Sequence, residues 1–333
     1  ADTEEIQSKL GNEPAMRAHI LAFIASEYVD SYESAMEMIA LTFYGYQYGA
    51  VNNFLMEETI IQVFDLLTEA KLISAKEPFQ VTPFGKRVSE LYLDPLSARL
   101  IKTGLESNTT TADLPPIVYL QLLAMTPDIR TYSIRQKDMD KVVDIAEQYN
   151  EQWFDTGDDD EFIEASTDLF FTTIKMAAVI QMWLHEDSEQ EIYQAYGVTS
   201  GDLHSILERT DWLIYCAAEI AKIFKWEYHR EQLLDLEKRI KYGISEELLE
   251  LVAIRGLGRI RARTLFDAGY KTKQAIATAS LSKLAGLPGF GEKIARQIIA
   301  HASGVAPDQL DDTETIGSDQ ASRGQTSLSA FFD

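Results

Sequence analysis

The 333-residue sequence predicts a mainly α-helical protein built from a series of small domains. Three observations predict it. Amphipathic runs recur at the 3.6-residue period along most of the chain, and alternating stretches are few. One short stretch, "KLISAKEPFQVTPFG" at residues 71–85, does read as a β-hairpin, and it follows a helix. Towards the end, two Gly-x-Gly turns each stand between helical segments.

Composition limits what such a chain can be. Apolar residues make up 46%, enough for real cores. No run of 18 apolar residues occurs, and no charged-then-apolar leader opens the chain, so neither a membrane span nor a signal segment is expected. The single cysteine, Cys216, rules out an internal disulfide and points to a reducing, intracellular setting. The first residue is Ala, as in a processed protein or a piece of a longer one. The net charge of −23 argues against a generally basic nucleic-acid coat. Charge is unevenly spread, however. Residues 243–302 hold nine Lys/Arg against five acids, a basic island in an acidic chain.

The elements follow in order. Residues 1–13 read as a linker. From 14 to 100, helices precede the hairpin "LISA…FQVT", the order of a winged helix; a plain helical domain with a stray hairpin is the other reading. Its helix "MEETIIQVFDLLTEA" places Ile60, Ile61, Val63, Phe64 and Leu67 on the apolar face. Residues 101–242 read as a long helical bundle. It contains the acidic loop "DTGDDDE" (155–161), whose spacing does not fit a calcium-binding EF-hand and reads as solvated. Residues 303–333, rich in Asp, Ser, Thr and Gly, read as a disordered tail.

Catalytic and metal-binding patterns are missing. The five histidines are scattered, and no GxxxxGK[ST], GxSxG or HExxH occurs. This chain is therefore expected to bind no triphosphate through a P-loop and to hold no cofactor or metal of its own.

The basic island carries the first binding signal. In "AIRGLGRIRARTLFDAG" (253–269) and "LAGLPGFGEKIARQIIAHASG" (284–304), an apolar residue precedes Gly256-x-Gly258 or Gly289-x-Gly291, and a helix begins just after. Glycine allows tight left-handed turns and close approach of another backbone. The unpaired N–H groups at the start of the second helix carry partial positive charge and suit a phosphate. Arg255, Arg259, Arg261 and Arg263 stand at the first turn, Lys293 and Arg296 at the second. The pattern resembles the helix-hairpin-helix, which binds DNA backbone without reading sequence. Ordinary αα-hairpins with glycine at helix caps are the alternative.

The second signal lies in "SGDLHSILERTDWLIYCAAEIAKIF" (200–224), a strong helix with Ser200 as N-cap. At 100° per residue, Leu203, Ile206, Leu207, Leu213, Ile214, Ala217, Ile220, Ala221 and Phe224 share one stripe. Trp212 falls opposite, with Ser205, Glu208 and Glu219. An indole there is either a second packing contact or a platform for stacking a base, and spacing alone favours packing.

Four segments then occur together and in order: "SKLGNEPAMRAHILAFIAS" (8–26), "VTPFGKRVSELYLDPLSARLI" (81–101), "GVTSGDLHSILERTDWL" and "ELLELVAIRGLGRIRAR". Over residues 5–302 the chain resembles the archaeal superfamily-two DNA helicases related to metazoan HelQ, kin of the Ski-type helicases. The resemblance implies two preceding motor domains, absent here, that bind ATP and Mg²⁺. After them it implies a winged helix, a helical ratchet bundle and a small helix-hairpin-helix type domain. It implies a full-length protein that unwinds forked DNA in the 3′ to 5′ direction at stalled replication, as a monomer in the cytoplasm at the nucleoid. Trp212 matches the ratchet tryptophan that stacks on the translocating single strand. The family's strand-contacting Arg seven residues earlier is replaced by Ser205, with His204 beside it. The run from Arg255 to Arg263 matches the family's terminal strand-gripping element.

The last residues, "QTSLSAFFD", give a third signal. Gln325, Leu328 and Phe331 are three apart, so a 3₁₀ turn lines them up, and Phe332 adds a second aromatic anchor. The pattern resembles the peptide by which DNA enzymes dock on the sliding clamp PCNA. A DNA-binding adaptor tethered to the clamp, with no enzymatic role, is the rival to the helicase reading.

Overall fold

The computed structural model describes residues 6–48, 53–108, 114–156 and 167–304. They are mainly helical and fall into two compact units, one up to Glu246 and one from Glu247.

The first unit begins with α1 (Glu13–Ala25). Asn12 caps it by accepting the Ala15 N–H at 3.2 Å. Met16, Ile20, Leu21 and Ile24 form its buried stripe. Three helices follow: α2 (Tyr32–Ala40), α3 (Phe43–Tyr48) and α4 (Asn53–Glu69). On α4, Ile60, Val63, Phe64 and Leu67 are buried as the period predicts, but Ile61 is 43% exposed and Leu66 is buried instead. Ile61 lies about 100° from Ile60, off the stripe's centre.

The expected hairpin is reduced to one antiparallel bridge between Ile73 and Val81. Two backbone bonds flank it, Ser74 N–H to Gln80 C=O at 2.8 Å and Thr82 N–H to Leu72 C=O at 2.9 Å. Pairing stops there because Phe79 turns inward. Its N–H donates to the Asp30 carbonyl at 2.6 Å, and its ring packs on Tyr32 and Phe64. With its N–H given to Asp30, Phe79 cannot donate it across a two-stranded ladder.

Two helices then enter the body, α5 (Pro83–Leu91) and α6 (Pro95–Ser107), and α6 runs through residue 100 without a break. Asp94 caps α6, accepting the Leu96 N–H at 2.9 Å. The same carboxylate receives Arg17 of α1 at 2.5 and 2.7 Å. Arg17 is only 2% exposed, so its charge is tolerable only because it is paired, here with Asp94 and Glu13.

The bundle comprises α7 (Pro116–Ala124), α8 (Met139–Gln148), α9 (Thr167–Leu184), α10 (Glu189–Tyr196), α11 (Ser200–Phe224) and α12 (Glu227–Tyr242). α7 is buried from Ile117 to Ala124, as expected for the bundle's centre. Several buried polar groups there are paired: the Tyr119 hydroxyl meets His229 Nδ1 at 2.8 Å, and Asp138 holds Arg135 at 2.7 Å and Lys175 at 3.0 Å. α11, about 37 Å long at 1.5 Å per residue, packs most extensively on the shorter α12 and touches α5, α6, α7 and α10.

Among its described residues the second unit has five short helices: α13 (Leu249–Val252), α14 (Arg259–Asp267), α15 (Lys273–Ala277), α16 (Leu281–Ala285) and α17 (Glu292–Ser303). Leu251, Ile254, Leu257, Ala262, Leu265, Ile276, Leu284, Ala295 and Ile298 form its core.

Candidate nucleic-acid interface

α11 starts one residue earlier than its sequence signal suggested. Thr199, not Ser200, is the N-cap, and its hydroxyl accepts the Asp202 N–H at 3.3 Å. From there one face carries the buried stripe: Leu203, Ile206, Leu213, Ile214, Ala217, Ile220 and Ala221 are all under 5% exposed.

The opposite face carries Ser205, Glu208, Arg209, Trp212 and Tyr215. Trp212 is half-buried, packed against the rim of the core, and it lines an open groove of about 310 Å³ with Ser205, Glu208 and Arg209. The Arg209 guanidinium lies over the indole, 5.2 Å from the ring centroid. Arg209 is the residue that sequence reasoning passed over, although its i, i+3 spacing to Trp212 puts it on the same face. His204, by contrast, is separated from Trp212. It faces a second groove shared with Trp183, Leu207, Asp211 and Lys241.

Cys216, four residues after Trp212 on α11, is fully buried. Burial, with Asp128 nearby, pushes its thiol up to about 12, so it is no nucleophile.

In the second unit, the two Gly-x-Gly turns have the same form. Gly256 and Gly289 take φ of 93° and 77°, the left-handed region that glycine favours. Gly258 and Gly291 are extended N-caps of α14 and α17, with no side chain capping either helix. Nothing lies within 4 Å of the position a Cβ would occupy on any of the four glycines. The helix starts therefore keep open room where an anion can reach backbone N–H groups.

The basic residues around these turns divide into two sets. Arg255 and Lys293 are exposed, with no ion pair among the described residues. Others are tied within the unit. Arg261 donates from Nε to the Gly289 carbonyl at 3.3 Å and from Nη1 to the Gly256 carbonyl at 3.4 Å, so it links the two turns. Arg263 pairs with Glu247 at 2.8 Å and lies over Phe266, while Arg296 pairs with Glu292 at 3.2 Å. Arg259 is half-buried at the head of α14, and next to it Ile260 is 81% exposed. His301 Nδ1 donates to the Arg255 carbonyl at 2.8 Å, fixing α17 to the first turn.

Gln325, Leu328, Phe331 and Phe332 lie outside the described residues. The acidic loop lies mostly outside them too, and no cluster among the described residues could hold a metal ion. No described helix is long and apolar enough to cross a membrane.

The sequence over these regions matches two family models. Residues 117–243 match the family model for archaeal helicase domain 4, and residues 248–303 match that for the SAM-like helix-hairpin-helix tandem. The chain thus belongs to the archaeal superfamily-two DNA helicases and comprises C-terminal domains of that class. In particular it is similar to the ATP-dependent DNA helicase Hel308 of Methanocella arvoryzae, at 35% identity over 99% of this chain and 44% of that protein. It is similar also to Hel308 of Thermococcus kodakarensis (33%, covering 90% of this chain and 26% of that one). Hel308 of Pyrococcus horikoshii is 30% identical over 90% of this chain and 41% of its own length. The chain spans less than half the length of these relatives.

Proposed function

We propose that this chain is the strand-gripping part of an ATP-dependent helicase that unwinds forked DNA in the 3′ to 5′ direction during repair or replication restart. The observation that carries the reading is the groove beside Trp212. It is an aromatic ring on the outer face of the longest described helix, inside the region that matches archaeal helicase domain 4, with a cation in place. A base can stack on such a ring whatever its identity, as a translocating helicase requires. Arg209 supplies the positive charge that the family's missing arginine would have given at Ser205. The glycine turns hold backbone phosphates of the same substrate through helix N–H groups, Arg255 and Lys293. ATP and Mg²⁺ belong to motor domains outside this sequence, so the chain alone hydrolyses no ATP.

The tail, from its spacing alone, adds a tether to the sliding clamp. Gln325, Leu328, Phe331 and Phe332 would seat in an apolar pocket of the clamp. The protein then works as a monomer at the nucleoid.

A fluorescence titration with a 3′-tailed fork and with blunt duplex tests the reading. The fork is expected to bind more tightly, with affinity falling as salt rises. Equal binding of both substrates would favour a duplex-tethering adaptor. Removal of residues 325–333 is expected to abolish clamp binding in calorimetry and leave DNA affinity unchanged; clamp binding that survives the deletion removes the tail from the account.

A further inference from the structure

We propose that the strand track on α11 continues one turn beyond Trp212 onto Tyr215, and that Arg87 of α5 is the positioning residue that holds that ring for a second base. The proposal rests on Trp212 being the first stacking platform.

Tyr215 follows Trp212 by three residues on the same outer face, and it is 40% exposed although it stands beside the docked helix α5. Three residues advance a helix by about 4.5 Å, a little more than the roughly 3.4 Å between successive stacked bases, so two rings so placed suit neighbouring bases of a slightly stretched strand.

Tyr215 is held at its tip while 40% of the residue stays exposed. Its hydroxyl accepts a hydrogen bond from Arg87 Nη2 at 3.1 Å. The rest of the Arg87 fork is occupied: Nε donates to Glu219 at 3.0 Å, and Nη1 to Glu90 at 3.1 Å. With two carboxylates against one guanidinium, Arg87 has no net charge to offer a phosphate. What the geometry gives it is orientation, since a planar fork bonded in three directions fixes both itself and the phenol it touches. α5 is further pinned to α11 by Phe84 against Phe224, ring centroids 5.1 Å apart. A tyrosine fixed in this way loses little freedom when a base stacks on it.

The test uses the full chain and single-stranded oligothymidylates carrying one fluorescent base analogue, placed at each position in turn. Y215L keeps apolar bulk but removes the ring, Y215F keeps the ring and removes the hydroxyl, and W212A serves as reference. Y215L is expected to weaken binding about tenfold, with the slope of affinity against salt unchanged, because stacking releases no counterions. Y215F is expected to stay within about threefold of the parent, the ring itself being the platform. R87Q is expected to reduce quenching of the analogue at one position and leave its neighbour's quenching unchanged, a signature that general loosening would not give. If W212A weakens binding and Y215L does not, the extension is wrong and the Trp212 platform stands. If neither substitution weakens binding, both fail. Should Y215L melt early, the R87Q quenching pattern decides: a loss confined to one position upholds the extension, and unchanged or uniformly reduced quenching overturns it.

Discussion

Arg209 lies over the face of Trp212, its guanidinium carbon 5.2 Å from the ring centroid, and both line one groove on the outer side of α11. An exposed cation–π contact contributes about 0.5–1 kcal/mol, and a base stacked on an aromatic about 1–3 kcal/mol. A base can therefore displace the guanidinium from the ring at a net gain, and the displaced cation is left beside the strand's phosphates.

That exchange separates the two residues experimentally. Arg209→Ala is expected to lower the salt dependence of single-strand binding by about 0.7 in the log–log slope, the share of one phosphate. Affinity at high salt should change little, since the ring remains. Salt titrations of the parent and R209A check this directly.

Arg261 gives a different signature. It bonds the carbonyls of Gly256 and Gly289 and thereby fixes the spacing of the two glycine turns. Lysine preserves its charge but not its fork. R261K is expected to lose duplex affinity nearly as fully as R261Q, by about tenfold, the scale of one or two charge-assisted hydrogen bonds. Full rescue by lysine in a gel-shift series would make Arg261 a simple phosphate contact.

The buried Asp138 sets an acid limit on the first unit. Burial alone would raise its carboxyl, but hydrogen bonds from Arg135 and Lys175 outweigh that and hold it well below the usual carboxylate range. A depressed folded value means that the stabilisation is complete above the unfolded value of about 4 and is lost as pH falls below it. D138N leaves Lys175, 4% exposed, without its counter-charge, and is expected to cost about 3 kcal/mol at neutral pH. The variant should also lose less stability than the parent between about pH 4 and pH 2. Urea melts across that range measure both effects.

Cys216 is expected to resist thiol reagents in the native protein at about pH 8 and to react fully in denaturant, because a buried thiol pushed up to about 12 presents almost no thiolate. Rapid native labelling would show that α11 opens far more readily than its packing implies.

Much of this was legible in residue order. The stripe from Leu203 to Ala221 followed from helical period, and the glycine pairs from their spacing and their place in the basic segment. What could not be read was set by long-range contacts. The expected hairpin is reduced to the Ile73–Val81 bridge, and the Phe79 N–H goes instead to the Asp30 carbonyl, a partner distant in sequence. Ile61 looked apolar enough for the core, yet α4 turns Leu66 inward instead. Arg87 meets Tyr215 and Glu219 across more than 120 residues, which no local pattern signals. The division of the basic residues into exposed Arg255 and Lys293 and internally tied Arg261 and Arg263 likewise depends on where carbonyls and carboxylates lie in space.

The most direct measurement is the affinity of the parent chain and of Trp212→Ala for a single-stranded oligonucleotide, with circular dichroism to confirm that both fold. The variant is expected to bind about tenfold more weakly, with the salt slope retained, as removal of one stacking platform requires. Unchanged affinity in a folded W212A protein would contradict the stacking role, and would leave Trp212 as a packing residue only.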